Sequence, residues 1–157
     1  MASALLTSVF LGIVCLALSI YYGYVVPGSG AFGRHLTLAL ASTFLLSLGH
    51  SMTMFFFIGT GKHIKQLVRE HAFGPEIVRE TIVYKNKLFP PMMLAIILTM
   101  AEFIIGGGVH TRLIPAWIHH LLAWAALGSN IHCFWLEGKY LVSNSRLMNS
   151  VYRTLDR

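Results

Sequence analysis

The fold of this chain is decided by the stretch TFLLSLGHSMTM at residues 43–54, an apolar sequence with a histidine, His50, near its middle. Residues 36–58 contain no Asp, Glu, Lys or Arg, and at about 1.5 Å per residue a helix of this length crosses a hydrocarbon core of ~30 Å. On that helix Ser47, His50 and Ser51 share one face, which we expect to contact protein. An ionisable side chain at this depth is costly without a partner, so His50 is a candidate functional residue.

Four apolar runs of this kind predict the architecture. They cover residues 4–26, 36–58, 89–105 and 114–136, in a chain of 157 residues that is 55% apolar and only 11% charged. Only helices or closed barrels satisfy the backbone polar groups in lipid. We therefore expect an all-α integral membrane four-helix bundle that forms a single domain, with membrane lipids as its first partners.

The basic residues predict the orientation of the bundle. Most of the 12 Lys and Arg residues lie within residues 62–87 and 137–157, whereas the other two connections hold one each, Arg34 and Arg112. The positive-inside rule then places both termini in the cytoplasm, in a bacterial inner membrane or its equivalent. This placement accounts for the net charge of +6 without nucleic acid as a partner.

The segments outside the spans are also expected to be helical. Residues 62–87 contain charged helical stretches separated by Gly74-Pro75, which predicts two short cytoplasmic helices. The three glycines at residues 106–108 are expected to end the third span. Residues 137–157 predict an amphipathic tail along or below the membrane. No internal repeat is evident.

A second histidine, His132, is a candidate partner for His50. If their helices begin near Arg34 and Pro115, the two side chains lie about 24 Å and about 25 Å below the outer surface. Two opposed neutral imidazoles at one depth suit the two axial positions of a haem iron. We therefore predict a haem b held by His50 and His132.

The residues next to these histidines fit a flat macrocycle. Gly128 and Ser129 leave room for the ring plane one turn before His132. Ser47 and Ser51 are expected to bond the far nitrogen of His50 or a haem propionate. Two other interpretations remain open for His50: a different ligand, such as a chlorin or a metal ion, and purely structural bonding.

In the structural interpretation, His50 hydrogen-bonds across helices to Ser129, Asn130 or Glu102, because polar residues commonly join membrane helices.

Glu102 is the only carboxylate within the predicted spans, and several histidines lie near it. His119 and His120, together with His35 and His110, are expected near the outer surface. Quinone reduction needs groups that hand protons to the ring oxygens, so Glu102, His119 and His120 form a candidate quinone or proton site. A divalent metal site and ordinary interfacial anchoring are the alternatives.

These patterns lead to one functional hypothesis and two alternatives. The first is a membrane b-type haem protein that transfers electrons between quinone and a partner redox protein, as a possible quinone-linked oxidoreductase subunit. The second is a cofactor-free accessory subunit of a larger membrane complex, and other membrane subunits or a homo-oligomer are expected partners in either case. The third is a proton- or metal-coupled transporter that uses Glu102 and the outer histidines.

Overall fold

The computed structural model describes residues 2–29, 31–71 and 73–155, with the side chains of residues 26–29 left out. This part of the chain is all-α, as the sequence predicts. It forms four helices: α1 (Ala2–Ser29), α2 (Phe32–Glu70), α3 (Glu76–His110) and α4 (Ala116–Leu155).

The four helices pack in a ring. Each helix contacts its neighbours in sequence, and α1 also contacts α4, so that α2 and α4 face each other across the bundle as a diagonal pair. One end of the bundle holds the α1–α2 and α3–α4 connections, and we call it the two-loop end. The opposite end holds the α2–α3 connection and the C-terminal part of α4, and we call it the basic end.

Three helices, α1, α2 and α3, are long and apolar enough to cross a membrane. The predicted fourth span is not supported in the same way, because α4 does not meet this criterion of length and hydropathy within the described residues. Polar side chains along α4, such as His119, Asn130 and Glu137, lower its average hydropathy. Asn130 and Glu137 are fully buried in the bundle.

The segments outside the predicted spans are extensions of the main helices. The prediction of helix within residues 62–87 is confirmed, but these residues continue α2 to Glu70 and begin α3 at Glu76. The tail likewise continues α4, and its Leu147 and Val151 are buried in the bundle. The expectation that residues 106–108 end a helix is wrong, since α3 runs through them to His110.

Glycines let α1 and α2 approach closely. A Cβ added at Gly12 would lie 2.7 Å from Cγ of Leu46, and one added at Gly49 would lie 2.7 Å from Cγ2 of Val9. Small residues at such positions allow helix backbones to pack together in a membrane protein.

The burial pattern repeats between the two helical hairpins. The buried positions of α1 have the same spacing as those of α3, and the buried positions of α2 have the same spacing as those of α4. The matching sets are Leu5, Val9, Gly12, Leu16 and Ser19 with Leu88, Met92, Ala95, Thr99 and Glu102, and Ala39, Ser42, Leu46, Gly49 and Thr53 with Ala123, Ala126, Asn130, Cys133 and Glu137. The bundle is therefore a pair of similar hairpins, although the sequence alone shows no repeat.

The close contact at Gly12 yields a stability prediction. Gly12→Ala is expected to lower the free energy of unfolding by about 1–3 kcal/mol, since the new methyl group collides with Leu46 and lies 3.2 Å from Cβ of Leu45. Gly128→Ala is the matched control, because nothing lies within 4 Å of a Cβ there. That change is expected to raise the same free energy by about 0.5–1 kcal/mol. Denaturant unfolding in detergent measures both, and equal effects would contradict the proposed close contact.

Candidate functional site

His50 lies at the centre of a fully buried hydrogen-bond network. Its Nδ1 is 2.7 Å from Oε1 of Glu137, and its Nε2 is 2.9 Å from Oδ1 of Asn130. All three side chains are 0% exposed. The network joins α2 to α4 across the diagonal of the bundle, where a polar side chain without a partner would be strongly unfavourable.

The protons of this network can be assigned from the donors and acceptors. Thr99 donates its hydroxyl to the carbonyl of Ala95, so its oxygen accepts the bond from Nδ2 of Asn130 at 2.9 Å. The same Nδ2 also donates to the carbonyl of Ala126 at 2.8 Å. The amide oxygen of Asn130 therefore faces His50, and Nε2 of His50 must carry a proton.

The structure does not bring His50 and His132 together. His132 is exposed on the outside of α4, where its ring packs at 6.5 Å from that of Trp135. Both nitrogens of His50 already have partners. The expected facing pair is thus replaced by the bonds from His50 to Glu137 and Asn130, which is close to the structural interpretation of His50.

The other residues predicted around the haem lie apart from an interior site. Gly128 is exposed, and Ser129 and Ser51 are half-buried. Ser47 has a buried hydroxyl without a partner among the described residues. The physical reason is that the predicted interior face of α4 is rotated by about one residue: the buried face carries Ala123, Ala126, Asn130, Cys133 and Glu137.

At the two-loop end, the structure brings together the residues of the predicted quinone or proton site. Glu102, His119 and His120 line one cavity of about 410 Å³, along with His35 and His110. A second cavity of about 470 Å³ shares His35, Glu102, His110 and His119 with the first. Cavities of a few hundred Å³ match the size of small-molecule sites.

His35 and His119 occupy corresponding positions in the two hairpins. His35 lies in the first turn of α2, and His119 lies in the first turn of α4. Their ring centres are 6.1 Å apart across the bundle diagonal. They are the closest feature to a facing histidine pair that the structure contains within the described residues.

The two histidines are also seated in the same way. Nδ1 of His35 is 2.8 Å from the carbonyl oxygen of Ser19, and Nδ1 of His119 is 3.2 Å from the carbonyl oxygen of Glu102. Each ring rests against a glycine one turn further on: a Cβ at Gly23 would lie 3.3 Å from His35, and one at Gly106 would lie 3.0 Å from His119. A Cβ at either place would press against the imidazole, so glycine lets each ring lie close to the backbone.

Glu102 lies beside this pair. Its Oε1 is 3.6 Å from Nε2 of His119, which is too long for a hydrogen bond. Its Oε2 is buried without a partner among the described residues. The side chain of Glu102 is only 3% exposed. Because its carboxyl oxygens have no hydrogen-bond partner among the described residues, the group is available to a ligand or proton in the cavity.

Glu137 is not predicted as a site residue from the sequence. The fourth apolar run ends at residue 136, so Glu137 falls in the predicted tail. A signal was present: Asn130, Glu137 and Asn144 are each one heptad apart, which places them on one helix face. All three are buried.

No group of three or more His, Cys, Asp or Glu side chains is placed to hold a metal ion within the described residues. Comparisons with protein-family models, curated proteins and solved structures give no match for this chain. The functional argument therefore depends on the geometry of the two sites.

The central network yields a prediction on stability. Glu137→Leu is expected to lower the free energy of unfolding by about 3–5 kcal/mol, because it leaves the buried Nδ1 of His50 without its partner. The double variant His50→Leu with Glu137→Leu is expected to recover part of that loss, since only Oδ1 of Asn130 then lacks its partner. Denaturant titration of the wild type, the two single variants and the double variant in detergent measures the coupling, with His132→Leu as the exposed control.

A double variant that is destabilised by the full sum of the two single changes would show that the pair does not act as a unit.

Proposed function

We propose that this protein is a membrane b-type haem protein that carries electrons, and that His35 and His119 are the two axial ligands of the iron. The single observation that carries the proposal is the symmetric seating of these two imidazoles across the bundle interior. His50 and His132 are not assigned this role, because the first has both nitrogens occupied and the second points away from the bundle.

The first support is the protonation state of the two rings. A backbone carbonyl only accepts hydrogen bonds, so Nδ1 of His35 and Nδ1 of His119 each carry a proton. Nε2 of each neutral ring then keeps its lone pair. A donated Nδ1–H that fixes the ring and leaves Nε2 free is the usual arrangement of a metal-binding histidine.

The second support is the spacing. Two imidazoles bound on opposite sides of one metal have ring centres about 6 Å apart, since each metal–nitrogen bond is about 2 Å and each ring centre lies about 1 Å beyond its nitrogen. The observed separation of His35 and His119 is 6.1 Å. The cavity of about 470 Å³ that both histidines line provides space beside the pair for a flat macrocycle.

The chemistry follows from the ligand set. A haem held by both histidines would supply reversible one-electron transfer, with no ligand position left for a substrate. His35 and His119 would hold the group and fix its depth at the two-loop end. We therefore assign electron transfer rather than oxygen or substrate chemistry at the iron.

The proposal includes α4 as a fourth membrane crossing. Its outward surface carries large apolar side chains, including Trp117, Leu121, Trp124, Ile131 and Trp135, each more than half exposed. Such a surface suits lipid, while the polar residues Asn130 and Glu137 lie inside the bundle. With the basic end in the cytoplasm, the histidine pair lies in the outer half of the membrane.

The absorption spectrum tests the ligand assignment. Wild-type protein purified from haem-supplied cells is expected to show sharp low-spin bands in its reduced-minus-oxidised spectrum. His35→Ala and His119→Ala should each lose these bands, because removing one ligand opens an axial position. His120→Ala and His132→Ala are the matched controls and should keep them.

A colourless wild type would overturn the proposal, as would bands that persist without His35 and without His119.

A quinone is the proposed electron partner within the membrane. Reducing a quinone to a quinol takes two electrons and two protons, and Glu102 has a buried carboxyl oxygen without a partner in the cavity that His120 also lines. The haem would exchange the electrons one at a time, and these side chains would exchange the protons with the ring oxygens.

Glu102→Gln is therefore expected to slow the oxidation of reduced haem by a short-chain quinone by about 10²-fold while leaving the spectrum unchanged. Glu76→Gln, at an exposed carboxyl near the basic end, is the control and should oxidise at the wild-type rate. Stopped-flow absorbance measures both rates, and an unchanged rate in Glu102→Gln would remove Glu102 from this role.

A further inference from the structure

The proposed electron-transfer function assigns no role to the buried hydrogen-bond network around His50. His50 and Glu137 form an ionisable pair, 0% exposed, in a part of the bundle almost free of other charges. From α1 no Asp, Glu, Lys, Arg or His faces the pair, and α3 carries none between Lys87 and Glu102. On α4 the nearby titratable groups are Cys133, Tyr140 and the exposed His132 and Lys139.

The basic side chains of α3 closest to this region along the chain are the exposed Lys87 and then Lys85, whose Nζ lies 3.5 Å from the position of a Cβ at Gly61 on α2.

We infer that the His50–Glu137 pair is a proton-binding site that exchanges its proton with water at the basic end of the bundle and not with the cavities at the two-loop end. The inference goes beyond the electron-transfer function and does not depend on a haem. It rests on where the hydrogen bonds of the pair are complete and where they are not.

Toward the two-loop end the pair is closed. Nε2 of His50 donates to Asn130, whose amide donates both to Thr99 and to the carbonyl of Ala126. Every group in this chain of hydrogen bonds is committed as a donor or an acceptor by the next one, and Ser47, whose hydroxyl has no partner among the described residues, is not bonded to the pair. A proton can pass this way only if the amide of Asn130 turns over, which breaks three buried hydrogen bonds at once.

Toward the basic end the hydrogen bonds of the pair are incomplete. Oε2 of Glu137 is buried and has no hydrogen-bond partner among the described residues, and neither does Oδ1 of Asn144. The two residues lie on one face of α4 about 10 Å apart along the helix. Buried acceptors without a donor are unfavourable, and water is a donor small enough to reach them.

The exchanged proton can be written as a balanced step. Nδ1 of His50 and Oε1 of Glu137 share one proton, which gives the pair no net charge. A hydronium ion arriving from the basic end transfers one proton to Oε2 of Glu137 and becomes water, and the reverse step returns it. The pair thus alternates between zero and one positive charge inside the membrane, as in Asp, Glu and His proton relays.

Infrared spectroscopy tests the proton binding, because a protonated buried carboxyl group absorbs apart from a carboxylate. The Glu102→Gln variant is the starting protein, since it leaves Glu137 as the one buried carboxyl group within the described residues. As the pH is lowered, a protonated carboxyl band is expected to appear, and adding Glu137→Gln is expected to remove it. If no such band appears at any pH in Glu102→Gln, the pair is static and the inference is overturned, even if the double variant does not fold.

The direction of exchange is tested by the rate at which deuterium enters that band after transfer to heavy water. Asn144→Leu is expected to slow the exchange by about tenfold, because it removes the polar step toward the basic end. Ser42→Ala is the matched control on the closed side and should leave the rate unchanged, because the buried hydroxyl of Ser42 bonds the carbonyl of Ala39 and not the network. Equal rates in both variants, or slower exchange in Ser42→Ala alone, would overturn the assigned direction.

Discussion

The bundle depends on the need to satisfy both nitrogens of one buried imidazole. His50 is fully buried, so α4 must present an acceptor to each ring nitrogen, and it does so with Glu137 and Asn130. These two residues are two turns apart on one face, which fixes both the rotation and the height of α4 relative to α2. Thr99 extends the same constraint to α3 by accepting from Asn130. One histidine therefore sets the relative positions of three helices.

This constraint explains how far the sequence could predict the fold. Apolar runs of spanning length identify the helices because hydropathy acts locally along the chain. The rotation of a helix about its axis depends on contacts with other helices and not on the local sequence. The spacing of Gly128 and His132 suits the interior, but Asn130 and Glu137 occupy the buried side of α4. A shift of one residue turns a helix by about 100°, which is enough to move a predicted ligand to the lipid side.

The same reasoning applies to the candidate site. The clustering of Glu102, His119 and His120 near one end of the bundle was predictable, since all three lie close to a predicted connection. The specific pairing of His35 with His119 was not, because it depends on two backbone carbonyls and on the glycines Gly23 and Gly106. The repeat that relates these residues lies in the spacing of buried positions and not in residue identity, so a comparison of amino-acid identities does not detect it.

The two hairpins are alike at one end and different at the other. His35 and His119 correspond, as do Gly23 and Gly106, whereas Asn130 and Glu137 on α4 correspond to Leu46 and Thr53 on α2. The symmetric half suits one group held equally from both sides. The asymmetric half suits a polar network that needs a donor on one helix and acceptors on the other.

The uninterrupted length of α2 and α4 has a mechanical consequence. With 39 and 40 residues, each helix is about 60 Å long, roughly twice the thickness of the hydrocarbon core. Each therefore acts as a stiff strut with no hinge between the basic end and the histidine at its start. A molecule that binds the basic end contacts the same two helices that carry His35 and His119. A change in the angle between α2 and α4 at that end therefore changes the distance between the two rings about 50 Å away.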